Sequence, residues 1–162
     1  MSVRLTRKDD LIRVMEIYRD ARERMKESNN PTQWPYLYPY KYLIEDDIKN
    51  KRSYVIERDE KIVGVFALFF GEDKTYINIL GKWLNDESYV TIHRIAGDRN
   101  SKGIFEEAFN FAKGLSKNIR CDTHEKNQAM RHVMTKLGFK ECGIIEVETR
   151  KDRKRVAYHY AS

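Results

Sequence analysis

The stretch that decides the fold is IRCDTHEKNQAMRHVMTKLGF, residues 119–139. Ile119-Arg120-Cys121-Asp122-Thr123 reads as a short strand. A helical pattern follows over 127–137 and stops at Gly138-Phe139. Between them lies a polar corner of Asp122, Thr123, His124 and Asn127. Corners where a strand gives way to a helix are where α/β proteins place ligands.

Working outward, 89–96 (YVTIHRIA) is β-branched and aromatic, as a strand should be. A polar loop, Gly97-Asp98-Arg99-Asn100-Ser101-Lys102-Gly103, joins it to a helix over 103–116 that buries Ile104, Phe105, Ala108, Phe109, Phe111 and Ala112. Two strands, 140–149 and 154–160, flank the turn Lys151-Asp152-Arg153. Upstream, 53–58 and 62–70 read as strands around Asp59-Glu60-Lys61, with a further short strand near 76–80. Val3-Arg4-Leu5 is a short first strand, and Thr6 a helix N-cap. Leu11, Val14, Met15, Ile17 and Tyr18 recur at helical spacing, predicting a helix over 9–26 that Ser28-Asn29-Asn30-Pro31 breaks. The aromatic stretch 33–40 holds two prolines and cannot be a regular helix; a second helix follows over 40–50. No repeat or linker is visible, so 1–162 is expected to form one domain. The expected fold is α/β (α+β), a mixed and mostly antiparallel sheet of six to seven strands with helices on both faces.

The net charge of +6 permits anionic ligands: nucleic acid, a membrane surface or a phosphorylated cofactor. A soluble domain with a lysine-rich surface would have the same charge. The basic run Arg150-Lys151-Asp152-Arg153-Lys154-Arg155 falls at a hairpin turn and lacks interleaved aromatics for base stacking, so it reads as a solvated turn and no nucleic-acid partner is expected. Cys121 and Cys142 fit neither a disulfide framework nor a metal site; they read as buried free thiols in a reducing compartment. The first residues lack an apolar targeting segment, and the apolar run 62–70 is too short to span a bilayer, so a cytoplasmic protein without membrane contact is expected.

The loop 97–103 opens a helix, and a helix N-terminus offers unpaired N–H groups and partial positive charge, which suits a pyrophosphate. Gly103 would let the backbone approach a ligand closely, and Arg99 and Lys102 add charge; the plainer reading is a turn. Taken together, the two corners resemble the GNAT superfamily of acetyl-CoA-dependent N-acyltransferases. Its first corner carries a Q/R-x-x-G-x-G/A loop, and here Asn100-Ser101-Lys102-Gly103-Ile104-Phe105 stands there with only Gly103 matching. Its second carries N-x-x-A-x-x-x-Y-x-x-x-G-F. Asn127, Gly138 and Phe139 match, while Met130 and Met134 replace the Ala and the Tyr. His93-Arg94-Ile95-Ala96 is similar to the family's cofactor strand, and Arg155-Val156-Ala157-Tyr158 to a common ending.

The resemblance implies acetyl-CoA as co-substrate, bound in a V between strands 89–96 and 119–123, and direct transfer to a primary amine of a small molecule. Ile95, Ala96, Gly97, Asn100, Ser101, Lys102, Gly103, Ile104, Phe105, Asn127, Met130 and Met134 would line the cofactor site, with Asn127 on the pantetheine arm. Asn127 also reads as a plain helix N-cap. A primary amine has a pKa near ~10.4, so a base or desolvation must free it. His93 is the candidate base, direct or through water; its other reading is a histidine bonded to a neighbour, and alternation puts it on the face opposite Arg94. Trp34, Tyr89 and His124 are candidate acceptor-pocket residues. Trp34 also reads as an aromatic pinning its loop, His124 as a corner cap, and Asp122 as fixing a loop backbone. Met134 has no proton to give a leaving thiolate, which leaves the acid to Tyr89, Tyr36, Tyr38 or solvent. The same departures suit a second reading, a CoA-binding regulatory or interaction module without turnover. The family also implies a homodimer.

Overall fold

The computed structural model describes residues 2–147 and 151–162. Its strands are β1 (Ser2–Leu5), β2 (Ser53–Arg58), β3 (Lys61–Phe70), β4 (Leu80–Gly81), β5 (Val90–Gly97), β6 (Asn118–Thr123), β7 (Lys140–Glu146) and β8 (Lys154–Ala161). Its helices are α1 (Leu11–Glu27), α2 (Lys41–Lys49), α3 (Ile104–Lys113) and α4 (Gln128–Lys136). All eight strands form one sheet in the order β1-β2-β3-β5-β6-β8-β7-β4. Among the described residues, only β5 and β6 pair in parallel.

The strand count exceeds the expected six to seven because β4 is a two-residue edge strand on β7, too short to leave a period in the sequence. The strand expected near 76–80 gives way to a 3-10 turn, Lys74–Tyr76. Thr6 caps no helix: its hydroxyl bonds Ser53 Oγ at 2.7 Å, and α1 begins after a 3-10 turn, Lys8–Asp10, whose Asp10 accepts from the Arg7 amide at 2.7 Å. The strand expected over 140–149 ends at Glu146, and residues 148–150 lie outside the described residues.

Alternation along the strands divides the core. Ile56, Phe66, Leu68 and Val156 pack against Phe105, Ala108, Phe109 and Met134 of α3 and α4. Val55 and Val65 pack on the other face against Val14, Ile17, Tyr18 and Ile44 of α1 and α2. With both faces covered, β3 becomes an almost unbroken apolar run. Gly64 and Gly97 are cross-strand partners, and a Cβ on either would approach Ile104 to 2.9 and 2.6 Å. Their missing side chains let the start of α3 lie directly on the sheet. Among the described residues, no helix is long and apolar enough to cross a membrane.

Two features open the sheet at its centre. The parallel register of β5 and β6 covers only Val90–Ile119 and Thr91–Arg120, and the strands part beyond it. On the other edge of β5, Val65 faces Ala96 and Ala67 faces His93, so Phe66 is opposed by both Arg94 and Ile95. That is a β-bulge, which bends its strand.

Candidate active site

At the bulge Arg94 takes φ +49°, unusual for a side chain of this size. Neighbours hold it there. Its carbonyl accepts the Tyr18 hydroxyl at 2.7 Å, and its guanidinium forks onto Asp47 at 2.8 and 2.9 Å. The bulge also breaks the alternation expected from sequence: His93 and Arg94 both lie against the Phe69 ring and line one cavity of about 460 Å³.

His93 lies at the mouth of the β5–β6 split, and its Nε2 meets Asp73 Oδ2 at 2.6 Å. Asp73 is well braced. Its Oδ1 accepts from the Thr75 amide at 2.9 Å and the Thr75 hydroxyl at 2.7 Å, and its own amide donates to the Tyr89 hydroxyl at 2.8 Å. Burial alone would raise the Asp73 pKa, but the His93 bond and charge and the Thr75 bonds outweigh it and hold the carboxyl at about 2. A carboxylate on Nε2–H fixes the tautomer that leaves Nδ1 with a lone pair. Among the described residues Nδ1 has no hydrogen-bond partner.

The cavity continues along the split. Its walls include Trp34, Tyr38, Thr123, Asn127 and Met130, and a second cavity of about 470 Å³ shares Met25, Ile95 and Asn127 with it. That second cavity is bounded by Ala96 and Gly97 of β5, Arg24 of α1 and the start of α4. Asn127 stands where the two meet. It caps α4 by accepting from the Met130 amide at 3.2 Å and donates to Gln33 Oε1 at 3.1 Å. Arg24 and Asn30 border it, and among the described residues their buried Nε and Oδ1 have no hydrogen-bond partner. Gly103 turns the chain into α3 at φ +76°, and, as at any helix start, the first α3 amides lack partners within the helix.

Several residues singled out from sequence do other work. Ile104, Phe105 and Met134 are buried in the core, so their side chains do not line the groove. Asn100, Ser101, Lys102 and Gly103 border neither cavity; Arg58 holds the Lys102 carbonyl at 2.7 Å. Tyr89 braces Asp73 from behind, with Arg120 stacked 3.9 Å from its ring. His124 is buried and clamps two loops: Nε2 meets Asp152 at 2.5 Å, and Asp152 also takes the Thr32 hydroxyl at 2.6 Å. Among the described residues the Asp122 carboxylate bonds no loop backbone; it accepts the Tyr76 hydroxyl at 2.6 Å. Trp34 does line the cavity, edge-on to Tyr18 and Tyr38. Asp73 and Thr75 went unnoticed in the sequence, although D-x-T after a strand is an Asx-turn signature.

No family model matches the sequence, and neither does any curated protein. Solved structures do match. A GNAT-family acetyltransferase from Streptococcus agalactiae is 30% identical with a TM-score of 0.88, over 99% of this chain and 95% of that one. A putative acetyltransferase from Staphylococcus aureus is 24% identical with a TM-score of 0.73, over 99% of both chains. A ribosomal-protein-alanine N-acetyltransferase from Brucella melitensis, 18% identical with a TM-score of 0.60 over the full length of both chains, shares the fold.

Proposed function

The chain belongs to the GNAT family of acetyltransferases, and from that premise we propose that it moves an acetyl group from acetyl-CoA to the primary amine of a small molecule by direct transfer. The observation that carries this reading is the His93–Asp73 pair, set on a cavity at the mouth of the β5–β6 split. Acetyl-CoA would supply the activated thioester. Ile95, Gly97, Asn127 and Arg24 would hold its polar arm, and the first amides of α3 its pyrophosphate.

His93 Nδ1 takes the proton of the acceptor amine, while Asp73 keeps the ring oriented and stabilises the imidazolium that forms. The amine nitrogen then bonds the acetyl carbon, the carbon–sulfur bond breaks, and the thiolate leaves. With a pKa near ~8.5 a thiolate leaves with mild help, so a methionine at position 134 does not block turnover. The backbone of the Arg94 bulge, next to His93, would supply a donor to the oxyanion that develops. A covalent thiol route has little support: Cys121 borders the cavity but is buried, its thiol is pushed well up by burial, and it donates to the Ile92 carbonyl.

Calorimetric titration with acetyl-CoA, desulfo-CoA and 3′,5′-ADP tests the cofactor half of the reading. Micromolar binding that weakens in Gly103→Glu is expected. No binding up to millimolar acetyl-CoA would overturn it.

A further inference from the structure

The charges that face the acceptor cavity are almost all matched. Arg94 is closed by Asp47, and Asp73 by His93. Arg155 is held by the carbonyls of Gln33, Asp152 and Lys154 and by the Asp152 carboxylate. Glu72 and Lys74 are exposed at the rim and opposite in sign. Asp122 is the exception. It lines the same cavity, two residues past the last parallel pair on β6, as His93 is on β5. Its carboxylate has one neutral partner, the Tyr76 hydroxyl at 2.6 Å, and among the described residues no cation within ion-pair reach. Tyr76 is itself fixed, fully buried against Trp83 and beside the His93 ring, so the carboxylate is aimed rather than free to swing away. A half-buried anion with one neutral hydrogen bond is costly unless a cation completes it.

That cation cannot usefully be the reacting amine, because a carboxylate on it would hold the proton that must leave. Resting on the acetyl-transfer reading above, we propose that Asp122 binds a second, non-reacting ammonium of the acceptor. The substrate class is then a diamine, or another amine with a further positive charge, rather than a neutral or acidic amine. Tyr76 positions the carboxylate, and His93 across the split serves the amine that reacts.

The test compares 1,4-diaminobutane, butylamine and 4-aminobutyrate as acceptors for wild type and Asp122→Asn. It adds calorimetric binding of 1,4-diaminobutane in the presence of desulfo-CoA, which needs no turnover. Asn keeps an oxygen for the Tyr76 hydroxyl, so the variant should fold, and the wild-type preference decides the question even if it does not. The expected result is a kcat/KM for the diamine roughly tenfold or more above that for butylamine, with 4-aminobutyrate slowest. In Asp122→Asn the ratio of diamine to butylamine should fall to near one, and diamine binding should weaken by a similar factor. Equal wild-type rates for diamine and butylamine, or a preference for 4-aminobutyrate, would overturn the proposal. Diamine binding that depends on Asp122 but yields no acetylated product would sustain the cation site and count against acetyl transfer instead.

Discussion

At His93 one ring nitrogen meets Asp73 and the other is unpartnered among the described residues, so proton transfer depends on two side chains together. Replacing His93 by alanine should lower kcat by roughly 10²–10⁴. Acetyl-CoA affinity should change less than about twofold, since the loss is confined to the chemical step. Asp73→Asn should cost a comparable factor, because an amide that donates to Nε2 selects the wrong tautomer. Steady-state kinetics beside calorimetry separate these effects. A different histidine gives stability a pH dependence in the mildly acidic range. His159 is fully buried; it accepts from the Leu84 amide at 3.2 Å and its Nε2 meets Asn118 Oδ1 at 2.9 Å, an arrangement that suits the neutral ring. Burial, and then the nearby Arg120, lower its pKa from 6.5 to about 4. The unfolded chain therefore gains the proton first as pH falls, and stability is lost between those two values. Urea unfolding should show a decline of up to about 3 kcal/mol across that window, and His159→Gln should flatten it.

At the scale of elements, the site depends on where α3 begins and where β5 bends. Gly97 faces Ile104 with no room for a methyl, so Gly97→Ala should lift the start of α3 and cost about 1–3 kcal/mol. Ile104→Ala removes the Cγ1 that the new methyl would strike, so the losses in the double variant should be less than additive, as denaturant midpoints of the single and double variants would show. Most elements could be read in advance because their signals are local: a 3.6-residue period in α1, β-branched residues in β5, Asn127 and Gly138 at the ends of α4. The bulge could not. It exists only because Phe66 on β3 faces both Arg94 and Ile95, a cross-strand fact with no local signal. Simple alternation therefore put His93 and Arg94 on opposite faces, whereas both border one cavity. Asp73 was hidden for the same reason, lying on another loop and meeting His93 only in the fold. His124 looked like a site residue because its corner is polar, but the polarity serves a clamp onto Asp152.

For the whole molecule, the groove between β5 and β6 is bordered by α1 on one side and α4 on the other, so a ligand in it would tie the two helical faces of the sheet together. Acetyl-CoA at 100 times its Kd should stabilise the fold by about 2.7 kcal/mol. For a chain of this size that corresponds to a rise in Tm of roughly 5–10 °C, readable by differential scanning fluorimetry. Gly103 as a turn and Asn127 as a cap were legible from sequence because those patterns are local, whereas which residues border the groove was not, since Ile104, Phe105 and Met134 turn into the core. The cavity beside His93 was the least legible, because residues from β3, its following loop, β5 and β6 meet there. The measurement that tests the central claim most directly is mass-spectrometric detection of N-acetylated amine with matched release of CoA thiol, for wild type and His93→Ala. The account predicts stoichiometric product and thiol in wild type and a loss of at least ~10²-fold in the variant. Tight acetyl-CoA binding with no acetylated amine, or equal turnover in the two proteins, would contradict it.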